Sequence, residues 1–316
     1  MHKRLVNHCT IDLTLIPDGP ILIKSGRQGA DPTKPDMEFV ETYYRGKRTI
    51  YLPGSSLKGA IRAHAERIVR TVGQENPNNK NPNIPWASNP LKDQRDHWKK
   101  KNSVEIYKLS SFTEQMFGNT SIASRVRIED AYPVDVTSLN IEERNGVAID
   151  RVFGSVAVGP FNYQVCTSGE FQTKIHLKNF TLAQLGLIGL VLRDLNDGWF
   201  GLGFAKSRGL GTVKVQYNSA VVQYPGCEVK NKQIYSFASQ QPLGSHTALL
   251  GVGEFLIDNE YNFPKPDSHK ETPVAFEPME LGFGIQQTWT GEEPVKCLFR
   301  KAVQSWSLVL RGGTAA

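Results

Sequence analysis

Residues Leu52 to Arg62 read Leu-Pro-Gly-Ser-Ser-Leu-Lys-Gly-Ala-Ile-Arg, and their types suit the holding of a phosphodiester backbone. Pro53 and Gly54 form a turn that delivers two hydroxyls, Ser55 and Ser56, to the start of a helix carrying Lys58 and Arg62. A helix start offers free N–H groups and a positive dipole end, both of which favour an anion. The same residues also describe an ordinary capped helix with basic surface positions, so alone they leave both readings open. A second segment, Gly198 to Val213, tips the balance. There Gly201, Gly203, Gly209 and Gly211 frame Lys206, Ser207 and Arg208. Lys206 stands where a dinucleotide fingerprint counted from Gly201 needs its third glycine, and the Gly-Lys-Ser/Thr ending of a P-loop is missing. Cations and a hydroxyl inside a glycine frame then read as a cradle for polynucleotide phosphates.

Both segments need elements to position them. Residues 8–16 alternate as a half-buried strand, with Ile11, Leu13 and Leu15 on one side. The helix after Ser56 puts Leu57, Ile61, His64, Ala65 and Ile68 on one face. Residues 124–131 and 169–177 alternate as strands, and Asn145-Gly146 suits a hairpin tip. Thr181 with Gln184 is a capping-box signature for a helix striped by Leu185, Ile188, Leu192 and Leu195, and residues 212–217 close with another strand. Strand, helix, strand, strand, helix, strand is the order of an α+β, ferredoxin-like (RRM-like) unit, whose open sheet face often handles RNA. Residues 1–217 make this core. Residues 73–110 are an inserted loop region, rich in Asn and Pro and then basic around Trp86 and Trp98. Residues 218–316 form a C-terminal extension of unassigned role, with an amphipathic segment from Val295 to Leu310.

The 316-residue chain carries 37 Lys and Arg against 31 Asp and Glu, a net charge of +6 that favours a polyanionic partner. Four scattered cysteines give no disulfide framework and no zinc spacing. No signal peptide and no run of about 18 apolar residues is visible, so a cytoplasmic protein without a membrane partner is expected.

Five motifs in register resemble the CRISPR-associated RAMP superfamily, specifically backbone subunits of type III effector complexes of the III-A or III-D kind. They are Pro53 to Arg62, Met116-Phe-Gly118, Arg125-Val-Arg-Ile-Glu-Asp-Ala131, Ile149-Asp-Arg151 followed by Gly169-Glu-Phe171, and Ser207-Arg-Gly-Leu-Gly-Thr-Val213. The resemblance implies a palm with a thumb hairpin at 130–165, assembly with other effector subunits along a guide RNA, and pairing of that guide with a target RNA. Guide contacts would come from Ser55, Ser56, Lys58 and Arg62, from Lys206, Ser207, Arg208 and Gly209, and from Lys24, Ser25 and Arg27. Arg151 and Phe153 would act at the thumb, where Val152, Phe153 and Val158 suit either an apolar wedge between bases or strand packing. Backbone contacts position without specifying sequence, so base pairing would carry specificity.

Cleaving members of the family place an aspartate after the first strands and act with a divalent metal such as Mg²⁺. Asp31 is the first candidate here and Asp36 the second. The family's acid directly follows a Ser/Gly turn, where this chain has Arg27, so either the acid has shifted or the subunit does not cleave. Two alternatives stay open: a non-catalytic capping or spacing subunit, and a guide-precursor-processing endoribonuclease. The second would need His64 as an acid–base group, and that residue falls on the helix's apolar stripe.

Overall fold

In the computed structural model of the chain, residues 3–26, 35–74, 84–89, 101–239, 241–256 and 258–310 are described. Alternation writes the sheet. The strand His8–Pro17 buries Cys9, Ile11, Leu13 and Leu15, and Phe171–Lys178 buries Phe171, Thr173, Ile175 and Leu177. Val213–Tyr224 buries Val213, Val215 and Tyr217, then Ala220, Val222 and Tyr224. The change of parity is a bulge: Asp12 pairs with Ser219 but Leu13 with Tyr217, leaving Asn218 extra. The Asn218 amide donates to Asp12 Oδ1 at 2.8 Å and to Thr14 Oγ1 at 3.0 Å, which pins the bulge.

Four strands run in the order Val213–Tyr224, His8–Pro17, Phe171–Lys178, Val126–Ile128, each antiparallel to its neighbour. The helices Gly54–Val72 and Leu182–Asn196 pack on the buried face. Thr181 and Gln184 make the expected capping box. The mixed α+β expectation holds.

The C-terminal segment continues this sheet. The strand expected to end at 217 runs to Tyr224, and Ile285–Thr290 pairs with it on the far edge. The helix Glu292–Gln304 then lies on Leu182–Asn196, close enough that a Cβ on Gly189 would sit 2.6 Å from Phe299 Cγ. The Trp306 indole donates to Ala183 O at 2.9 Å.

A long hairpin, Asn140–Ile149 with Val156–Ser168, forms a separate two-stranded sheet. Asn145-Gly146 is not its tip. Asn145 pairs with Asn162 and Gly146 with Phe161, in mid-ladder. Gly146 makes room for a ring, since a Cβ there would lie 2.7 Å from Phe161 Cε2 and Cζ. The tip is Asp150 to Ser155, where Asp150 Oδ1 accepts from Val152 N and Phe153 N, both at 2.8 Å.

A buried carboxylate fastens the C-terminal segment to the core. Asp267 Oδ1 accepts from Leu182 N at 2.9 Å, in the first turn of its helix, and Oδ2 accepts from Gly253 N at 3.0 Å. Burial pushes the Asp267 carboxyl up to about 7, against an ordinary value near 3.8. The folded state thus binds a proton that the unfolded chain releases between those values. Stability should fall as pH rises from about 4 to 7, by at most about 1.4 kcal/mol per unit from this group. Thermal melts across that range, with Asp267→Asn flattening the slope, check it.

Candidate nucleic-acid interface

The helix beginning at Gly54 starts against the end of a strand. A Cβ on Gly54 would lie 2.3 Å from Ile128 O, so glycine lets the two meet, and Gly54 N donates to Asp130 Oδ1 at 2.7 Å. Part of the Pro-Gly-Ser-Ser motif is therefore packing chemistry. Ser55 is exposed and Ser56 half-buried.

Lys58 and Arg62, expected on guide phosphates, turn toward the protein. Lys58 Nζ donates to Ser124 Oγ at 2.7 Å and Val126 O at 3.0 Å. Burial, and then the charge of Arg62, holds its ammonium below the ordinary lysine value. Arg62 Nε donates to Glu66 Oε1 at 2.9 Å, and a second guanidinium nitrogen to Gly118 O at 3.0 Å. These two cations tie the Met116-Phe-Gly118 and Ser124–Val126 segments to the helix. Lys58→Met should lower stability by about 1–2 kcal/mol through the two hydrogen bonds lost, while RNA affinity changes less than about twofold. Parallel melting and anisotropy measurements decide it.

The glycine loop behaves differently. Gly203 (φ 77°) admits no Cβ, which would lie 2.2 Å from Leu22 O, and Phe204 N donates to that same oxygen at 2.8 Å. Gly211 N reaches Pro20 O at 2.8 Å. Held at both ends, the loop presents the one-turn helix Lys206–Arg208 between Ala205 and Gly209, both left-handed. Lys206, Ser207, Arg208 and Gly209 are all exposed.

The root of the hairpin lies beside this loop. Ile21 and Cys166 exchange backbone bonds of 2.9 and 2.8 Å, and Met37 bonds Asn162 and Gln164 at 3.2 and 3.0 Å. A ladder of side chains crosses from loop to hairpin. The Arg208 guanidinium lies 5.0 Å from the Phe204 ring centre, Phe204 lies 6.4 Å from Tyr163, and Tyr163 lies 6.3 Å from Phe161. Alternation of Phe161 and Tyr163 on one strand was the signal for the ladder's outer half, missed because nothing in the sequence pairs that strand with the glycine loop. Lys24 is exposed and bridges Phe39 in the same region; Ser25 N donates to Glu38 O at 2.9 Å.

Arg151 is exposed at the hairpin tip, and Val152 and Phe153 are 82% and 84% exposed. Val158 is exposed too, so strand packing accounts for none of the three. Asp36 is exposed at the root and accepts the Asn162 N–H on Oδ2 at 2.9 Å. Arg27 and Asp31 lie outside the described residues, as do Trp98 and most of the basic run before 101. His64 is buried, its Nε2 2.8 Å from Asp194 Oδ2 and its ring stacked 4.3 Å from Phe200, so no substrate reaches it.

The family model described as RAMP superfamily matches residues 15–214, more than half of the chain, including the helices Gly54–Val72 and Leu182–Asn196, the hairpin and the glycine loop described above. The chain belongs to the RAMP superfamily. That membership makes it a CRISPR-associated, RNA-binding type of protein. No curated protein matches this RAMP chain. Among the described residues, no helix is long and apolar enough to cross a membrane.

Proposed function

We propose that this RAMP protein is a guide-RNA-binding backbone subunit of a type III CRISPR effector complex, built on a ferredoxin-like palm with a thumb. The observation that carries the reading is the exposed hairpin tip of Arg151, Val152 and Phe153 rising from a root flanked by the Arg208–Phe204–Tyr163 ladder. Apolar side chains held in water at the end of a long hairpin cost free energy unless something receives them. Stacked bases would, and the cations at the root would meet the phosphates of the same strand. The βαββαβ chain order with its antiparallel sheet supports the palm.

Target cleavage is the second part of the proposal, resting on Asp31 and Asp36. Among the described residues no three His, Cys, Asp or Glu are grouped to hold a metal. Mg²⁺ commonly takes one or two carboxylates, with waters and substrate phosphates completing its shell. The single exposed carboxylate of Asp36 fits such an ion and not a protein-only cage. When bound, the ion would stabilise charge on the scissile phosphate.

The test is the assembled complex with guide, complementary target RNA and Mg²⁺. Phe153→Asp should leave the melting temperature unchanged, because the side chain touches little, and weaken target retention on the guide about tenfold. Unchanged retention removes the wedge. Loss of one cut with Asp31→Ala or Asp36→Ala identifies the acid; retention of all cuts in both leaves a scaffold subunit.

A further inference from the structure

On the open side of the sheet, three tyrosines stack in a row. Tyr44 and Tyr132 lie 4.2 Å apart with planes 7° from parallel, and Tyr51 follows Tyr132 at 5.7 Å and 16°. The Arg45 guanidinium lies over the Tyr44 ring at 5.0 Å. Tyr44 and Arg45 belong to a tight hairpin, Glu41–Tyr44 with Lys47–Ile50, whose two turn residues Arg45 and Gly46 have φ of 49° and 79°. That turn holds Arg45 over the stack. Beside it opens a groove of about 600 Å³ whose walls include Tyr44, Arg45, Arg127, Asp130, Tyr132 and Lys174.

The charges in this groove are unequally committed. Arg127 pairs with Glu129 at 2.8 Å, and Asp130 accepts from Gly54 N and from the Tyr132 hydroxyl. Lys174 reaches Asp12 only at 3.8 Å, a weak exposed pair, and among the described residues Arg45 meets no carboxylate. Two cations therefore remain for an anion at the rim, beside an aromatic row whose Tyr44 end is capped by the planar Arg45 guanidinium. Asp130 and Gln172 in the lining supply polar edges. An aromatic stack, a planar cation and phosphate-seeking charges are the parts that hold an unstacked nucleotide.

We infer that this groove binds one nucleotide unit of a single-stranded RNA, its base on the Arg45 plane that caps the Tyr44–Tyr132 stack and its phosphate on Lys174. Asp130 connects the groove to Gly54, so the exposed Ser55 next to it would take the following phosphate. The site needs only that the chain binds RNA; it does not require membership of a guide-RNA filament.

The full chain is titrated into a fluorescent ten-uridine RNA, with uridine 5′-monophosphate and adenosine 5′-monophosphate as competitors. Arg45→Glu with Lys174→Glu, both exposed, should weaken ten-mer binding about tenfold with an unchanged melting temperature. Tyr44→Leu should do the same, and Tyr44→Phe should bind as the wild type because the ring that seats Arg45 persists. Ultraviolet crosslinking should place the ten-mer on the peptide containing Tyr43 and Tyr44, and Lys206→Ala with Arg208→Ala should leave that crosslink in place. Ten-mer binding and crosslinking unaltered by the charge reversals and by Tyr44→Leu would overturn the inference. Equal affinity for the monophosphates and the ten-mer would overturn the strand and leave a free-nucleotide site. A crosslink lost only with Lys206→Ala and Arg208→Ala would return all RNA contact to the hairpin root.

Discussion

Replacing Lys206 and Arg208 together by alanine is expected to weaken single-stranded RNA binding at least tenfold and to reduce the slope of log affinity against log salt by roughly 1.4, at about 0.7 for each phosphate that is no longer neutralised. Both side chains are exposed, so fold stability should move by less than about 0.5 kcal/mol. The loop that carries them is held by Phe204 N and Gly211 N on the 20–22 backbone, so its shape survives the substitution. The contrast with Lys58→Met is the informative part. That variant should lose stability and keep RNA affinity, because the Lys58 ammonium serves Ser124 and Val126. Anisotropy titrations at several salt concentrations read both quantities. Equal salt slopes for the double variant and the wild type would remove Lys206 and Arg208 from the interface.

Arg125→Leu should cost about 3–5 kcal/mol, a large part of a domain's net stability, with the melting temperature falling by about 10 °C. Arg125 is 4% exposed. Its guanidinium donates to Gln115 O at 2.7 Å, Tyr107 OH at 2.9 Å, Gln184 Oε1 at 3.1 Å and Asn179 O, and it lies 5.4 Å from the Tyr107 ring. One planar group thereby joins the short helix Phe112–Phe117, the capping box of Leu182–Asn196 and the end of Phe171–Lys178. Leucine fills part of the volume but takes the guanidinium donor away from Gln115 O, Asn179 O and the Tyr107 hydroxyl. Lysine should rescue little, because a point charge cannot reach the planar set. Differential scanning calorimetry of both variants measures the loss. A shift under about 3 °C for Arg125→Leu would show that water replaces the network.

The mixed α+β core was legible because its strands alternate cleanly and its second long helix starts with a capping box that the fold reproduces at Thr181 and Gln184. The hairpin tip was not. Asn145-Gly146 has turn chemistry, yet Gly146 is there to clear Phe161, and the actual turn is closed by the Asp150 side chain. Nor could spacing along the chain say that Lys58 and Arg62 would find acceptors at Ser124, Val126 and Gly118, which lie 66, 68 and 56 residues away in sequence. Sequence gives a cation; the fold decides whether it faces water. The same limit hid the C-terminal strand Ile285–Thr290, whose edge pairing to Val213–Tyr224 crosses a long irregular stretch. The Tyr43-Tyr44-Arg45-Gly46 turn did carry a signal, an aromatic pair ahead of a residue–Gly hairpin turn, but its partner Tyr132 comes from a distant strand.

RNA lying along the hairpin and the Lys206–Arg208 turn would pass directly over the aromatic side chains there. Ultraviolet crosslinking of a guide RNA to the full chain, followed by peptide mapping, tests that placement directly. Crosslinks are expected at Phe153, at Phe161 and Tyr163 of the hairpin, and at Phe204 of the glycine loop. Crosslinks confined to residues 227–283, with none on the hairpin or the glycine loop, would contradict it.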